Sequence, residues 1–356
     1  MPRRLTSGQV QLLLGLALVA AMVASAGIGA FSFAPERMLH YLAQAAGWLP
    51  STDADALGRN VFLRLRLPRV LLSAATGAVL GVSGALMQGL FRNPIVEPGL
   101  AGTSAGAAFG AALVFVFAGG SGSALSFTAP LGALAVPLLA FAGAFGATML
   151  VYRVSTAFGK VNVFTLLLAG IAVNAVCGAG TGFLSYVARD PQARNITFWN
   201  LGTFTTASWR GVVLVVAVLA ICLALAQRHA KALNALMLGE DEAAYLGIDP
   251  GTLIFRLLVL NTVMVAAATA MVGVIAFVGL IVPHVLRMVK SSDYTFLVPA
   301  SALLGALLMV LVDIVARVII PPAELPIGII TAVVGAPVFL AILLRQRGEG
   351  GVGFHG

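Results

Sequence analysis

Apolar stretches of about 18 residues or more, each long enough to cross a hydrocarbon core of about 30 Å as a helix, recur along the whole of this 356-residue chain. The solvent for such stretches is lipid, so their backbone groups must be satisfied within the protein. With 60% hydrophobic and 10% charged residues, there is too little polar surface to cover a water-soluble globule of this size. The chain reads as one all-α, polytopic membrane domain over residues 1–356, with no soluble domain.

The net charge of +8 does not point to nucleic acid, since Lys and Arg are scattered singly between apolar runs rather than gathered on one face. Cys177 and Cys222 each lie inside an apolar run and form neither a disulfide framework nor a CxxC motif. The histidines, at 40, 229, 284 and 355, are far apart and include no HxxxH or HExxH spacing, so no metal site is expected. Gly159-Lys160 superficially matches the end of a phosphate loop, but Val161 replaces the Ser or Thr and Val154 stands where the first Gly belongs. The chain does not bind ATP in that way. Near the N-terminus, Arg3, Arg4, an apolar stretch from Val10 and the small residues Ala24-Ser25-Ala26 imitate a cleavable leader. That stretch is long enough to span, so a retained first helix is expected.

Apolar runs bounded by charge, Pro and Gly give about ten crossings, near 10–30, 68–90, 100–118, 129–152, 162–187, 211–227, 253–275, 278–289, 295–316 and 326–344. The eighth is too short to span alone, and Pro283, after Phe277-Val278-Gly279-Leu280, marks the start of a broken helix. With the N-terminus inside, twelve of the 21 Lys and Arg fall in cytoplasmic loops against nine outside, including every Lys. Both termini are then cytoplasmic. Arg64, Arg66 and Arg69 crowd where the second span begins, which suggests an acidic partner, with anchoring to lipid phosphates as the alternative.

Helices associate in lipid by close backbone approach, so small residues four apart carry meaning. The second span has Ser73, Gly77, Gly81, Ala85 and Gly89; the third has Gly102, Gly106 and Gly110. The fifth has Gly170, Asn174, Gly178 and Gly182. In a chain with 40 Gly, generic packing explains most of these, but a mid-membrane amide such as Asn174 wants a partner or a wet cavity. Asp313 lies one turn before Arg317, where an i,i+4 pair satisfies both. Ionisable residues are otherwise scarce at helix centres, which argues against proton- or sodium-driven transport.

Several segments then share one pattern: Arg66-Leu67-Pro68-Arg69, Ser83 to Pro94 followed by Glu97-Pro98-Gly99, Leu238 to Gly247, Phe277 to His284, Asp313 to Arg317, and Glu324-Leu325-Pro326-Ile327-Gly328 leading to Gly335-Ala336-Pro337. In this order they resemble the FecCD/BtuC-type permeases of ATP-binding-cassette importers for siderophores, haem and cobalamin. The resemblance implies a type II ABC importer permease fold of ten helices in the bacterial inner membrane. It further implies a homodimer, two ATPase subunits inside that hold ATP and Mg, and one soluble binding protein outside. The subunit itself would bind no cofactor.

The resemblance also assigns roles. The cytoplasmic loop at about 228–252 carries coupling helices for the ATPases through Leu238, Gly239, Glu240, Asp241, Glu242, Ala243, Ala244, Leu246 and Gly247. An acidic start suits a helix N-terminus, and Ala243, Ala244, Leu246 and Ile248 offer an apolar docking face; a solvated charged loop is the alternative. Arg66, Arg69 and Arg317 match arginines that meet carboxylates of the binding protein, a task suited to a planar guanidinium. Asn93, Ile95, Asn162, Val163 and Phe164 match a cytoplasmic gate, with helix-end packing as the alternative.

The segment from Tyr186 to Gly202 looks most like the haem branch, notably at Thr197-Phe198-Trp199, although Arg189 before Asp190 and Thr203-Phe204 depart from it. The expected cargo is haem, with a translocation path drawn through Asn174, Tyr186, Phe198 and Trp199, and a ferric siderophore or cobalamin as alternatives. A secondary transporter or channel is the rival class. An intramembrane enzyme is disfavoured because no paired carboxylates, Ser/His set or ligand cluster is visible near one membrane face.

Overall fold

Backbone hydrogen bonds in lipid must close within each segment, and the computed structural model of the chain is accordingly built of helices. It describes residues 5–29, 32–50, 55–118, 131–157, 160–321 and 323–349. Arg3, Arg4, Gly159, His355 and the first residues of the expected fourth span lie outside these. In chain order the helices are α1 (Ser7–Gly27), α2 (Pro35–Ala45), α3 (Ala56–Asn60), α4 (Leu67–Leu90), α5 (Thr103–Phe117), α6 (Ala135–Ser155) and α7 (Val163–Val187). There follow α8 (Gln192–Leu201), α9 (Trp209–Leu236), α10 (Glu240–Tyr245), α11 (Pro250–Val272), α12 (Val278–Val289), α13 (Tyr294–Val318) and α14 (Ile327–Glu349). A π-helical turn, Val61–Arg66, joins α3 to α4 without a break. Among the described residues, seven helices are long and apolar enough to span, and three shorter apolar ones in α5, α12 and α14 complete the ten.

The pillar of the bundle is α4, whose most apolar window is 94% buried by protein. Its small residues explain this. A Cβ at Gly77 would collide with the Gly305 carbonyl of α13, and one at Gly81 with the Ser301 carbonyl. The backbones therefore approach as lipid-embedded helices need to. Gly106 and Gly110 of α5 meet α6 in the same way, at the carbonyls of Gly143 and Leu139. On α7, Gly170 packs against the Leu100 carbonyl, whereas Gly178 and Gly182 meet nothing within 4 Å. Much of α7 is exposed, including Leu168, Ile171, Val176 and Phe183.

Two expectations are corrected. Pro283 does not start α12: the helix begins at Val278, after Phe277 turns the chain at φ 69°. The proline lacks the N–H that would reach Gly279, and Gln88 Nε2 donates instead to the carbonyls of Gly279 (3.4 Å) and Leu280 (3.1 Å). Helix α9 runs on to Leu236 rather than ending at 227, because leaving hydrocarbon does not end a helix when Arg, His, Lys and Ala continue it. The loops hold two further helices, α2 and α8, too short and too polar for a hydropathy reading. A hairpin of two-residue strands, Thr156–Ala157 and Lys160–Val161, sits within the all-α fold.

Candidate translocation, coupling and docking sites

Arg66, Arg69 and Arg317 lie at one end of the bundle, and α10 lies at the other. Between them α12, with 12 residues, is roughly 18 Å long, so its N-terminus sits well inside the membrane thickness. There Glu97 Oε1 accepts a hydrogen bond from the Phe277 N–H at 2.9 Å. The turn that follows, Pro98–Ala101, presents carbonyls that side-chain amides meet. Asn261 Nδ2 approaches the Pro98 carbonyl at 3.5 Å, and Asn174 Nδ2 those of Gly99 and Leu100 at 3.3 and 3.5 Å. Ser83 in turn donates to Asn261 Oδ1. The amide of Asn174 thus has partners, and it also borders a cavity of about 340 Å³ with Glu97, Ser104 and Asn200. Sequence reasoning gave half-buried Glu97 no role beyond its place in the Glu97-Pro98-Gly99 match. The signal was an acid flanked by prolines between two apolar runs.

At the α10 end, the backbone changes direction at Gly239 (φ 149°) and Gly247 (φ 79°). Glu240, Asp241 and Glu242 occupy the first turn of α10, and Glu240 Oε1 pairs with Arg92 Nη2 at 3.1 Å. Asp249 caps α11 through the N–H groups of Gly251 and Thr252. A hydrogen bond from the Thr252 hydroxyl, aided by these amides, holds its carboxyl below the usual Asp value. The expected apolar docking face is rearranged. Ala243 is fully buried and Ile248 packs on the core, while Leu238, Tyr245 and Leu246 stand outward at 70%, 90% and 64% exposure. The cause is helical period: Ala243 points back between α9 and α11, leaving its neighbours outside.

The same end holds a polar network that sequence reasoning missed. Arg287 donates to Gln88 Oε1 and, at 3.1 Å, to the Tyr294 hydroxyl. Asn234 donates to Asp293 at 2.7 Å and accepts from the Tyr294 N–H. The matched gate residues serve separate local turns. Asn93 Oδ1 accepts from the Ile95 N–H at 3.0 Å, and Asn162 caps α7 by accepting from the Thr165 N–H at 2.9 Å. Val163 packs on the core and Phe164 is exposed.

At the arginine end, Asp313 is fully buried between two guanidinium groups, Arg69 at 2.9 Å and Arg317 at 3.1 Å. The i,i+4 pair is present, with Arg69 added. Arg69 Nη1 also meets both Glu324 oxygens at 2.8 Å. Arg66 donates to the carbonyls of Ala26 and Gly27, and Arg317 to those of Ser25 and Ile28, so both hold the last turn of α1. The three arginines and Glu324 line a cavity of about 390 Å³. Nearby, Tyr186 and Phe198 are exposed, whereas Trp199 turns inward against an alanine cluster of α5, α6 and α11. Among the described residues no three of His, Cys, Asp and Glu gather as a metal site.

Comparison with known proteins fits this arrangement. The hemin transport system permease protein HmuU of Yersinia pestis is 38% identical over 354 residues, covering 96% of this chain and 98% of that protein. The cobalamin import system permease protein BtuC of Halobacterium salinarum is 38% identical over 313 residues, covering 88% and 79%. A solved inward-facing conformation of a metal-chelate type ABC transporter superposes with a TM-score of 0.80 at 32% identity, covering 95% of this chain and 99% of that one. Residues 17–345 match the FecCD transport family, and the chain belongs to that family as the membrane-spanning permease of an ABC importer.

Proposed function

We propose that the chain moves haem inward across the bacterial inner membrane by alternating access, as a homodimer with two ATPase subunits and one periplasmic binding protein. The observation that carries the cargo is the match to a hemin permease along nearly its entire length. Exposed Tyr186 and Phe198, with Arg194 exposed on α8, form a rim compatible with a flat apolar macrocycle bearing carboxylates. The arginine end faces outward and presents Arg66, Arg69 and Arg317 to the binding protein. The α10 end faces the cytoplasm, where Leu238, Gly239, Glu240, Asp241, Glu242, Ala244, Leu246 and Gly247 engage the ATPase. Both termini are cytoplasmic, and ATP and Mg belong to the partner. Asn93, Ile95, Asn162, Val163 and Phe164 meet their counterparts across the dimer axis to close the inner side.

A cobalamin reading has one observation of its own, the equal identity to a cobalamin permease over a shorter stretch. Uptake by proteoliposomes holding the permease, its ATPase and its binding protein decides between them, with haem, cobalamin and a ferric siderophore offered separately. Haem accumulation that requires ATP supports the proposal. Preference for cobalamin or siderophore overturns the cargo, and accumulation by the permease alone overturns the importer mechanism.

A further inference from the structure

The two carboxylates on Arg69 are not equivalent. Asp313 holds Nε and Nη2, is 0% exposed and is shared with Arg317, so it is part of the bundle's interior. Glu324 holds only Nη1, and its side chain is 33% exposed at the rim of the outer cavity. Its backbone neighbours are pinned. The Leu325 N–H bonds to the Ala316 carbonyl at 3.1 Å and the Ile327 N–H to that of Gly202 at 3.0 Å. Freeing Arg69 Nη1 therefore needs only a rotation of the Glu324 side chain, while Nε and Nη2 stay on Asp313.

Resting on the docking reading above, we propose that Glu324 is a built-in stand-in for the binding protein's carboxylate, occupying Arg69 until that partner displaces it. With Arg69 11% and Glu324 33% exposed, the pair reaches solvent on the Glu324 side and gains only modestly over its separated groups. An incoming carboxylate thus exchanges one charge-assisted hydrogen-bonded pair for another. Meanwhile the stand-in keeps the guanidinium oriented, which lowers the ordering cost of docking, and denies it to wrong anionic partners. The consequence has an unusual sign. Removing an acidic residue from the docking face strengthens attachment of an acidic partner by more than the change in overall charge does at a distant site.

The experiment titrates the purified, fluorescently labelled binding protein that delivers cargo to this permease against the assembled permease–ATPase complex in nanodiscs, at low and high salt. E324Q is expected to bind about two- to fivefold tighter, the scale of an ion pair partly screened by solvent. R69Q should bind more weakly, and R69Q/E324Q should show no gain over R69Q. E36Q, an acid neutralised in α2, controls for net charge. If R69Q weakens binding while E324Q does not tighten it, or E36Q tightens it equally, the stand-in is overturned and docking survives. If wild-type affinity is indifferent to both salt and R69Q, the docking reading itself falls. Failure of E324Q to assemble would make its ion pair structural and overturn the proposal.

Discussion

Arg92 Nη2 lies 3.1 Å from Glu240 Oε1, fastening the loop after α4 to the first residue of α10. Both side chains are more than a third exposed, so the pair adds at most about 1 kcal/mol to stability. Its importance is positional, because the same loop carries Asn93, Ile95 and, at its far end, the Glu97 contact with α12.

R92E should therefore leave thermal unfolding of the complex almost unchanged while reducing cargo moved per ATP hydrolysed. R92K, which keeps a cation opposite Glu240, should retain it. Equal stoichiometry in R92E and wild type would show that α10 and the loop move independently.

E240K/E242K inverts two of the three charges in the first turn of α10. Retention of the ATPase subunit on the immobilised permease should fall more than about tenfold, through lost helix-terminus and partner electrostatics. Retention at the wild-type level would assign this turn to solvent.

A Cβ at Gly84 would run into the Gly279 carbonyl, whereas one at Gly146 meets nothing within 4 Å. Gly84→Ala is expected to destabilise by about 1–3 kcal/mol or more through overpacking. Gly146→Ala should be neutral or stabilise by up to about 1 kcal/mol. Unfolding temperatures in one detergent compare the two, and similar values would contradict the close α4–α12 approach.

Asp313→Asn keeps the shape but leaves Arg69 and Arg317 facing each other without the buried charge between them. A loss of about 3–5 kcal/mol follows from breaking a buried pair. Denaturation of the reconstituted permease tests it; stability equal to wild type would mean that water or Glu324 takes over.

Asp293 caps α13, and hydrogen bonds from Asn234 and from Thr295 hold its carboxyl below the usual Asp value. A depressed carboxylate stabilises fully above its unfolded value, about 3.9, and that contribution fades as pH falls through the lower folded one. D293A should cost about 1 kcal/mol near neutral pH and flatten the acid side of the unfolding profile. A mutant profile parallel to wild type down to that range would place the acid sensitivity elsewhere.

Long apolar runs made the spans legible, since the bilayer itself sets their length. The limits of α12 were legible, but not that the helix runs on through Pro283, because Gln88 meets the carbonyls near the proline from nearly 200 residues away in sequence. Helix α8 was hidden by its polar composition. The inward turn of Ala243 depended on how α9 and α11 frame α10, which no local pattern records. Asp313 and Arg317 were found as neighbours one turn apart, while Arg69 and Glu324 joined them only through the fold. Arg66, Arg69 and Arg317 were legible as a group, and the engagement of Arg66 and Arg317 with α1 was not.

The burial of α4 divides the chain into regions of unequal tolerance. Randomised libraries over its central turns should return mostly Gly, Ala and Ser at positions such as 77 and 81, where neighbouring backbone leaves no volume. The open face of α7 should accept diverse side chains up to whatever a second copy or lipid permits. Adaptation to a new cargo would then arise along α7 and the rims of the cavities, with α4 serving as the unvarying axle around which such changes are made.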